Sequence, residues 1–367
     1  MKLLFVTQVP LDRPFGGARH VSAVARELAR LGHEVTLLAP GADEPAQGVE
    51  RVRPPRGLGP GARLEAVLAA LAVHTVRRRR PDVAYVRISA STSLIPIVLA
   101  ARRVPIVLEL NGRILDELRE RARPAWAIAL VKRSLTTVTR LSRAMVAVEP
   151  RIGRHAEQEL SAGNVVVIEN GADLDAATPG DRRTARQRLG LDDQKQYVAY
   201  AGTLAPEQRF DLLLEAQEQL RSFTLLVAGA GPQTERLERA RRDRDIELLG
   251  VVPHATAIET IRAGDICVNV REGDLGMKCF EYAACGRRFV AFGGEGTERL
   301  EALYPGLDAV HLVGEKSAAA VAHAVERALT AERTRGPLPP DAITNARATI
   351  GWDRTARRIA EVLSACA

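Results

Sequence analysis

Short, predominantly apolar runs recur along this chain, each followed by a glycine- or proline-bearing loop and then a helical pattern. Leu3 to Val6, Pro105 to Leu110, Tyr197 to Tyr200, Phe223 to Ala228 and Ile266 to Val270 are such runs. A run without polar alternation leaves no face for water, which fits a parallel strand covered by helices on both sides. Strands alternating with helices in this way build doubly wound α/β sheets. The alternation runs from Leu3 to Ile168, pauses, and restarts at Tyr197. With 367 residues, the pause divides the chain naturally into two domains. The first is expected over 1–173 and the second over 190–349. The polar, Pro- and Gly-bearing stretch from Asp173 to Leu191 reads as the linker. Residues 330–343 read as a Pro-rich loop, and a last helix runs from about Trp352 to Leu363.

Charge and composition narrow the partners. The net charge is +7 and the pI about 9.6, which suits an anionic partner. Aromatic residues are only 4%, too few for base-stacking platforms, so nucleic acid is excluded as a partner. Arg77 to Arg80 close a helix expected from about Ala62, where they suit its macrodipole; an anionic-lipid patch is the alternative. Residues 123–140 are apolar with basic punctuation and read as a core helix, or else as a membrane-surface helix. Peripheral membrane contact therefore stays open. No apolar stretch reaches the ~18 residues that span a bilayer, and the opening M-K-L-L-F-V-T breaks at Gln8 and Pro10, too soon for a signal peptide. Cys267, Cys279, Cys285 and Cys366 form no C-x-x-C pair and sit in apolar runs. They suggest a reducing, cytoplasmic compartment, and neither they nor the scattered histidines have metal-ligand spacing.

The loops at strand ends carry the chemistry. From Cys267 to Val290 an apolar strand enters a loop with Glu272, Gly273, Asp274 and Gly276, then a helix from about Met277 to Gly286, then a second strand. Such a loop aims free backbone amides at whatever sits there, a natural cradle for phosphate. Glu281 lies about one turn in, near the face of Met277 and Lys278, where a carboxylate can accept both hydroxyls of a ribose. A plain strand–loop–helix unit with a solvated acidic face has the same pattern. The loop Gly202-Thr203 to Phe210 adds Arg209 beside another helix start. In the first half, Gly16 and Gly17 end a loop from Gln8 ahead of a helix starting near Ala18, and allow close backbone approach to a ligand. A full G-x-G-x-x-G is missing. Glu109 and Asn111, with Glu117 behind them, stand at the carboxyl end of a parallel strand, where such sheets bind ligands.

These residues fit a nucleotide sugar. Arg209, Lys278 and the amides of Gly276 and Met277 would hold the departing diphosphate with fixed donors and no metal. Glu281 would take the ribose, and Glu272 or Asp274 the sugar hydroxyls. Gly16, Gly17, Glu109 and Asn111 would face the acceptor. No Ser–His–Asp triad or paired-carboxylate hydrolase can be assembled.

Over nearly its whole length the chain resembles the GT-B-fold retaining glycosyltransferases of family 4. The resemblance rests on Gly16-Gly17 and Gly32-His33-Glu34-Val35, on Glu109-x-Asn111, and on the turn Asn170-Gly171-Ala172-Asp173. It continues through Tyr200-Ala201-Gly202-Thr203-Leu204, Gly229-x-Gly231-Pro232 and Leu249-Gly250 to Trp352-Asp353. The most specific part is Lys278-Cys279-Phe280-Glu281-Tyr282-Ala283-Ala284-Cys285-Gly286. The resemblance implies two doubly wound Rossmann-like domains facing a central cleft, with the C-terminal helix crossing back to the first. It implies a nucleoside-diphosphate sugar as donor, a hydroxyl-bearing acceptor, no metal or other cofactor, and retention at the anomeric carbon. Glu281 matches the second glutamate of the family's Glu-x7-Glu motif. The first falls on Gly273, flanked by Glu272 and Asp274. Thr203 and Gln208 stand where the family commonly has Arg and Lys, so Arg209 or backbone amides would substitute. Arg287-Arg288 replaces a basic residue and proline and reads as tolerated variation. A nucleotide-sugar 2-epimerase and a non-catalytic nucleotide-sugar-binding protein are the alternatives.

Overall fold

The structure, a computed structural model, describes residues 1–12, 16–41, 46–271, 277–294 and 297–367. The chain divides into two compact units, one made of Met1–Asn170 with Trp352–Ala367, the other of Gly171–Gly351.

The first unit holds seven strands among the described residues: β1 (Lys2–Val6), β2 (Glu34–Leu38), β3 (Val49–Val52), β4 (Val83–Arg87), β5 (Ile106–Leu110), β6 (Ala144–Ala147) and β7 (Val165–Val167). All pair parallel, in the order β3-β2-β1-β4-β5-β6-β7. Leu4 and Val6 of β1, Ala84 and Val86 of β4 and Leu108 and Leu110 of β5 share one face, packed on Leu64, Leu68, Ile95 and Leu135 of the covering helices. Residues two apart share a face of a strand, so Phe5 and Tyr85 turn to the other side, where their rings meet at 5.0 Å. There the helices Gly16–Arg30 and Trp352–Cys366 pack on each other, and the latter also reaches β4, β5 and β6. The last helix is therefore built into the first unit. Arg143 Nη1 donates to the Cys366 carbonyl (2.6 Å) and Thr355 Oγ1 to that of Glu169 (3.0 Å).

The second unit holds β8 (Tyr197–Ala201), β9 (Thr224–Ala228), β10 (Ile246–Gly250), β11 (Ile266–Asn269), β12 (Phe289–Phe292) and β13 (Val310–Val313). They too are parallel, ordered β10-β9-β8-β11-β12-β13. In each sheet the order reverses beside the first strand, at β1/β4 and at β8/β11. Ligands of doubly wound sheets bind beyond the strand ends at such a point.

Three segments differ from expectation. Gly16 and Gly17 form the first turn of the helix Gly16–Arg30 rather than the end of a loop; amides of a first turn have no acceptor within their own helix. The stretch expected as a linker carries the helix Arg182–Leu189, capped by the Asp181 side chain on the Thr184 amide. It is fixed by ion pairs: buried Arg186 and half-buried Arg182 bind the two oxygens of Asp265, through Nη2 at 2.7 Å and Nη1 at 2.8 Å. Two of its arginines thus serve packing, while Asp175, Asp181, Arg183, Thr184, Gln187 and Arg188 face water. In 330–343, the helix Ala318–Arg335 continues past the expected end and Pro340 opens the helix Pro340–Ile350. Proline suits a first helical position, where no amide is needed.

Candidate active site

In the second unit, β8 and β9 each end one residue before a glycine at positive φ, Gly202 at 147° and Gly229 at 144°. A Cβ on Gly229 would stand 1.9 Å from the Gly202 carbonyl oxygen, and one on Gly231 would stand 2.6 Å from that of Leu204. The two strand ends therefore pack backbone against backbone. A Cβ on Gly202 would meet Lys278 Cε at 2.1 Å. The Lys278 stem lies over Gly202, and its Nζ stands 5.2 Å from the centre of the Tyr200 ring, within cation–π reach. Tyr200 is fully buried; burial pushes its pKa far up, and its hydroxyl donates to the exposed Thr203's carbonyl at 2.6 Å.

Lys278 begins the helix Lys278–Ala284. One turn on, Glu281 is 6% exposed, with its amide on the Met277 carbonyl (3.1 Å) and its Oε1 3.1 Å from His254 Nε2. Across the β8/β11 reversal, Gln208 pairs with Arg271 in an antiparallel bridge. Its side chain is buried, with Oε1 lacking a hydrogen-bond partner among the described residues. The neighbouring Arg209 amide donates to the Val270 carbonyl at 2.9 Å. Its guanidinium grips Asp211, Nε to Oδ1 at 3.0 Å and Nη2 to Oδ2 at 2.7 Å. Gly202, Thr203, Lys278 and the Gly229–Gly231 turn thus come together. Arg209 is turned to its own helix, and Glu272, Asp274 and Gly276 lie outside the described residues.

In the first unit the strand ends gather ions. Glu109, in β5, is fully buried, and His20 Nε2 stands 2.9 Å from both its oxygens. Asn111 Nδ2 donates to Oε1, and Arg87 Nη1 lies 3.6 Å from the same oxygen. Burial alone would raise the Glu109 pKa. The charge and hydrogen bond of His20, then the charge of Arg87, outweigh it and hold the carboxyl down at about 2. His20 Nδ1 faces Asn170 Oδ1 at 2.7 Å, and its ring meets Trp352 edge-on at 5.3 Å. His20 therefore touches both residues at which the chain leaves and re-enters this unit. Glu109, expected as a site residue, is sealed beneath His20 and bonds to Asn111.

Residues 15–176 match the family model described as Glycosyltransferase Family 4, and residues 195–331 match the one described as Glycosyl transferases group 1. The chain belongs to glycosyltransferase family 4. Curated relatives of this family-4 chain include the D-inositol 3-phosphate glycosyltransferase of Mycobacterium sp. (strain KMS), 35% identical over 154 residues, 37% of this chain and 34% of the relative. The enzyme of that name from Mycobacterium tuberculosis (strain F11) is 30% identical over 205 residues, 52% of this chain and 41% of the relative. The matched stretches thus span well under half of these curated relatives. Among solved structures, sucrose-phosphate synthase from Thermosynechococcus elongatus superposes with a TM-score of 0.78 at 16% identity, over 98% of both chains. Anabaena HepE in complex with UDP-glucose gives 0.68 at 20% identity over the whole of both. At such identities the likeness is one of fold, and it puts the two doubly wound units of this family-4 chain in the GT-B class.

Sequence reasoning missed His20 and His254. Each lies within a helix whose pattern explains it as well as any function does; only the fold brings His20 to Glu109 and His254 to Glu281. Arg287 and Arg288, read as tolerated variation, are buried pins. Arg287 Nη2 donates to the Gly180 carbonyl (2.9 Å), and Arg288 Nε to that of Asp308 (3.0 Å).

Proposed function

We propose that this protein transfers a sugar from a nucleoside-diphosphate sugar to an acceptor hydroxyl, keeping the anomeric configuration and using no metal. The observation that supports this most is Lys278 stretched over Gly202 at the β8/β11 reversal, where three glycines keep side chains out of the strand ends. A diphosphate can approach that backbone closely and meet a fixed cation. Glu281, steadied by His254, would accept the ribose hydroxyls. As the bond from the anomeric carbon to the diphosphate breaks, the acceptor oxygen bonds to that carbon on the same face, and its proton passes to the departing diphosphate. Lys278 would balance the charge that gathers there. UDP-glucose is the first donor to test, since it is the ligand named with Anabaena HepE. Substituting Glu281→Ala should raise the donor KM about ten-fold or more through the lost charged hydrogen bonds, with the circular-dichroism spectrum unchanged. Unaltered kinetics with uridine, guanosine and thymidine diphosphate sugars would remove Glu281 from the donor site. Released epimerised sugar, or tight binding without turnover, would favour the epimerase or the non-catalytic reading.

A further inference from the structure

The helices Leu94–Ala101 and Ala125–Leu141 pack on each other over one face of the first sheet. Their inner sides are core: Ile95 and Leu99 of the one, Leu135 and Val138 of the other. Residues spaced by three, four and seven share one side of a helix. On Ala125–Leu141 that spacing lays Trp126, Leu130, Arg133, Thr137, Arg140 and Leu141 along the side away from the core, all of them exposed. On Leu94–Ala101 it does the same for Leu94 and Ile97.

The outward side of a surface helix is ordinarily polar. Here Trp126 is 72% exposed, Leu130 62%, Ile97 44% and Leu94 43%. Of the seven large apolar side chains that stand exposed among the described residues, five are on these two helices. Apolar residues exposed singly are normal, whereas a cluster of them marks a contact surface.

Charge says what covers it. From Arg121 to Val148 the chain has no Asp or Glu, but carries Arg121, Arg123, Lys132, Arg133, Arg140 and Arg143. Lys132 has Glu159 at 2.8 Å, and Arg143 donates to the Cys366 carbonyl. The other four, with Arg102 and Arg103 just past the neighbouring helix, are exposed and have no carboxylate at ion-pair distance among the described residues. A second copy laid on this surface would set arginine against arginine. An anionic phospholipid layer suits both parts of it. Arginine stems lie along apolar surface while their heads reach phosphate, and tryptophan favours the boundary between headgroups and chains.

We infer that the first unit docks on anionic phospholipid bilayers through the outward sides of Leu94–Ala101 and Ala125–Leu141. Trp126 and Leu130 enter the headgroup layer, and the arginines around them meet lipid phosphates. The helices stay folded on the sheet, because Ile95, Leu99, Leu135 and Val138 belong to its core. The attachment is peripheral and is independent of the reaction proposed above.

Vesicle co-sedimentation tests this with the full chain. Phosphatidylcholine vesicles containing phosphatidylglycerol should bind it at least about ten-fold more strongly than phosphatidylcholine alone, and about 0.5 M salt should remove most of the difference. The chain has two tryptophans, and Trp352 is buried, so a blue shift of emission on adding vesicles reports Trp126. Trp126→Phe should abolish the shift and keep most of the binding. Trp126→Ala/Leu130→Ala should weaken binding about ten-fold or more through lost apolar contact, and Arg133→Glu/Arg140→Glu as much through charge. All four positions are exposed, so these variants keep the fold. Equal binding to the two kinds of vesicle, binding without the shift, or binding unmoved by either double variant overturns the inference. So does a stable dimer in sedimentation velocity that Leu130→Arg dissociates, which would give this surface to a second copy.

Discussion

The two sheets are wound alike, yet their strand ends are built from opposite materials. Beyond β1, β4 and β5 the chain gathers ions: Glu109 with His20, Asn111 and Arg87. Beyond β8 and β9 it gathers glycines, with one lysine laid over Gly202. An end made of buried ions holds because each charge has its partner, and it fails when one partner is removed. An end made of glycines holds because backbones touch, and it fails when an atom is added. The first arrangement fixes side chains in place. The second leaves no room for a β-carbon at Gly229 or Gly231.

The most severe test of this contrast adds one methyl group. In Gly229→Ala the new carbon would stand 1.9 Å from a backbone oxygen at a φ of 144°. Backbone strain and overpacking together should cost about 5 kcal/mol. The variant should express poorly or unfold at far lower urea than the parent. A denaturation midpoint near that of the parent would show that the strand ends can part cheaply, and the glycine description would fail.

Removing a partner on the other side should cost somewhat less. His20→Ala strands a carboxylate that is wholly buried, with a penalty of about 3 kcal/mol, and Glu109→Gln in the same chain should restore part of it. The pH dependence follows from Glu109. Its folded pKa, about 2, lies below the ordinary 4.5. Its stabilising contribution is thus complete above the unfolded pKa and is lost as pH falls through the range from about 4.5 to 2. The unfolding free energy of the parent should fall more steeply over that range than that of Glu109→Gln, by on the order of 3 kcal/mol in all. Parallel curves would mean that Glu109 is not held ionised by His20 and Arg87.

The contrast also explains what could be read from the sequence. Strand runs such as Leu3 to Val6 and Phe223 to Ala228 are legible because a strand covered on both faces has no polar positions. The glycine end is legible for a similar reason: Gly202, Gly229 and Gly231 stand directly after such runs, and Lys278 and Glu281 keep fixed spacing in one short helix. The ionic end is not. Glu109 and Asn111 were visible at a strand end, but His20 lies 89 residues from Glu109, and no local pattern marks a pair closed by tertiary folding. For the same reason Arg182 and Arg186 passed as part of a linker and Arg287-Arg288 as tolerated variation, although their partners, Asp265, Glu332 and backbone carbonyls, lie far along the chain.

The smallest effect separates two cations that sequence alone treats as equals. Arg209 and Lys278 both sit at helix starts near the β8/β11 reversal, and both were expected to hold the diphosphate. Arg209 already has a carboxylate, gripped by two of its nitrogens, so turning it toward a ligand would first break that pair. Lys278 lies over Gly202, where a phosphate would approach the backbone. Lys278→Ala should therefore raise the donor KM about ten-fold, and Arg209→Gln by no more than about two-fold, since a half-exposed ion pair is worth little. Isothermal titration with the free nucleoside diphosphate reads the same difference without turnover. If Arg209→Gln weakens binding as much as Lys278→Ala, the Asp211 pair opens in the complex. The glycine end would then need a side-chain cation from outside the backbone cradle, and the contrast between the two sheets would narrow.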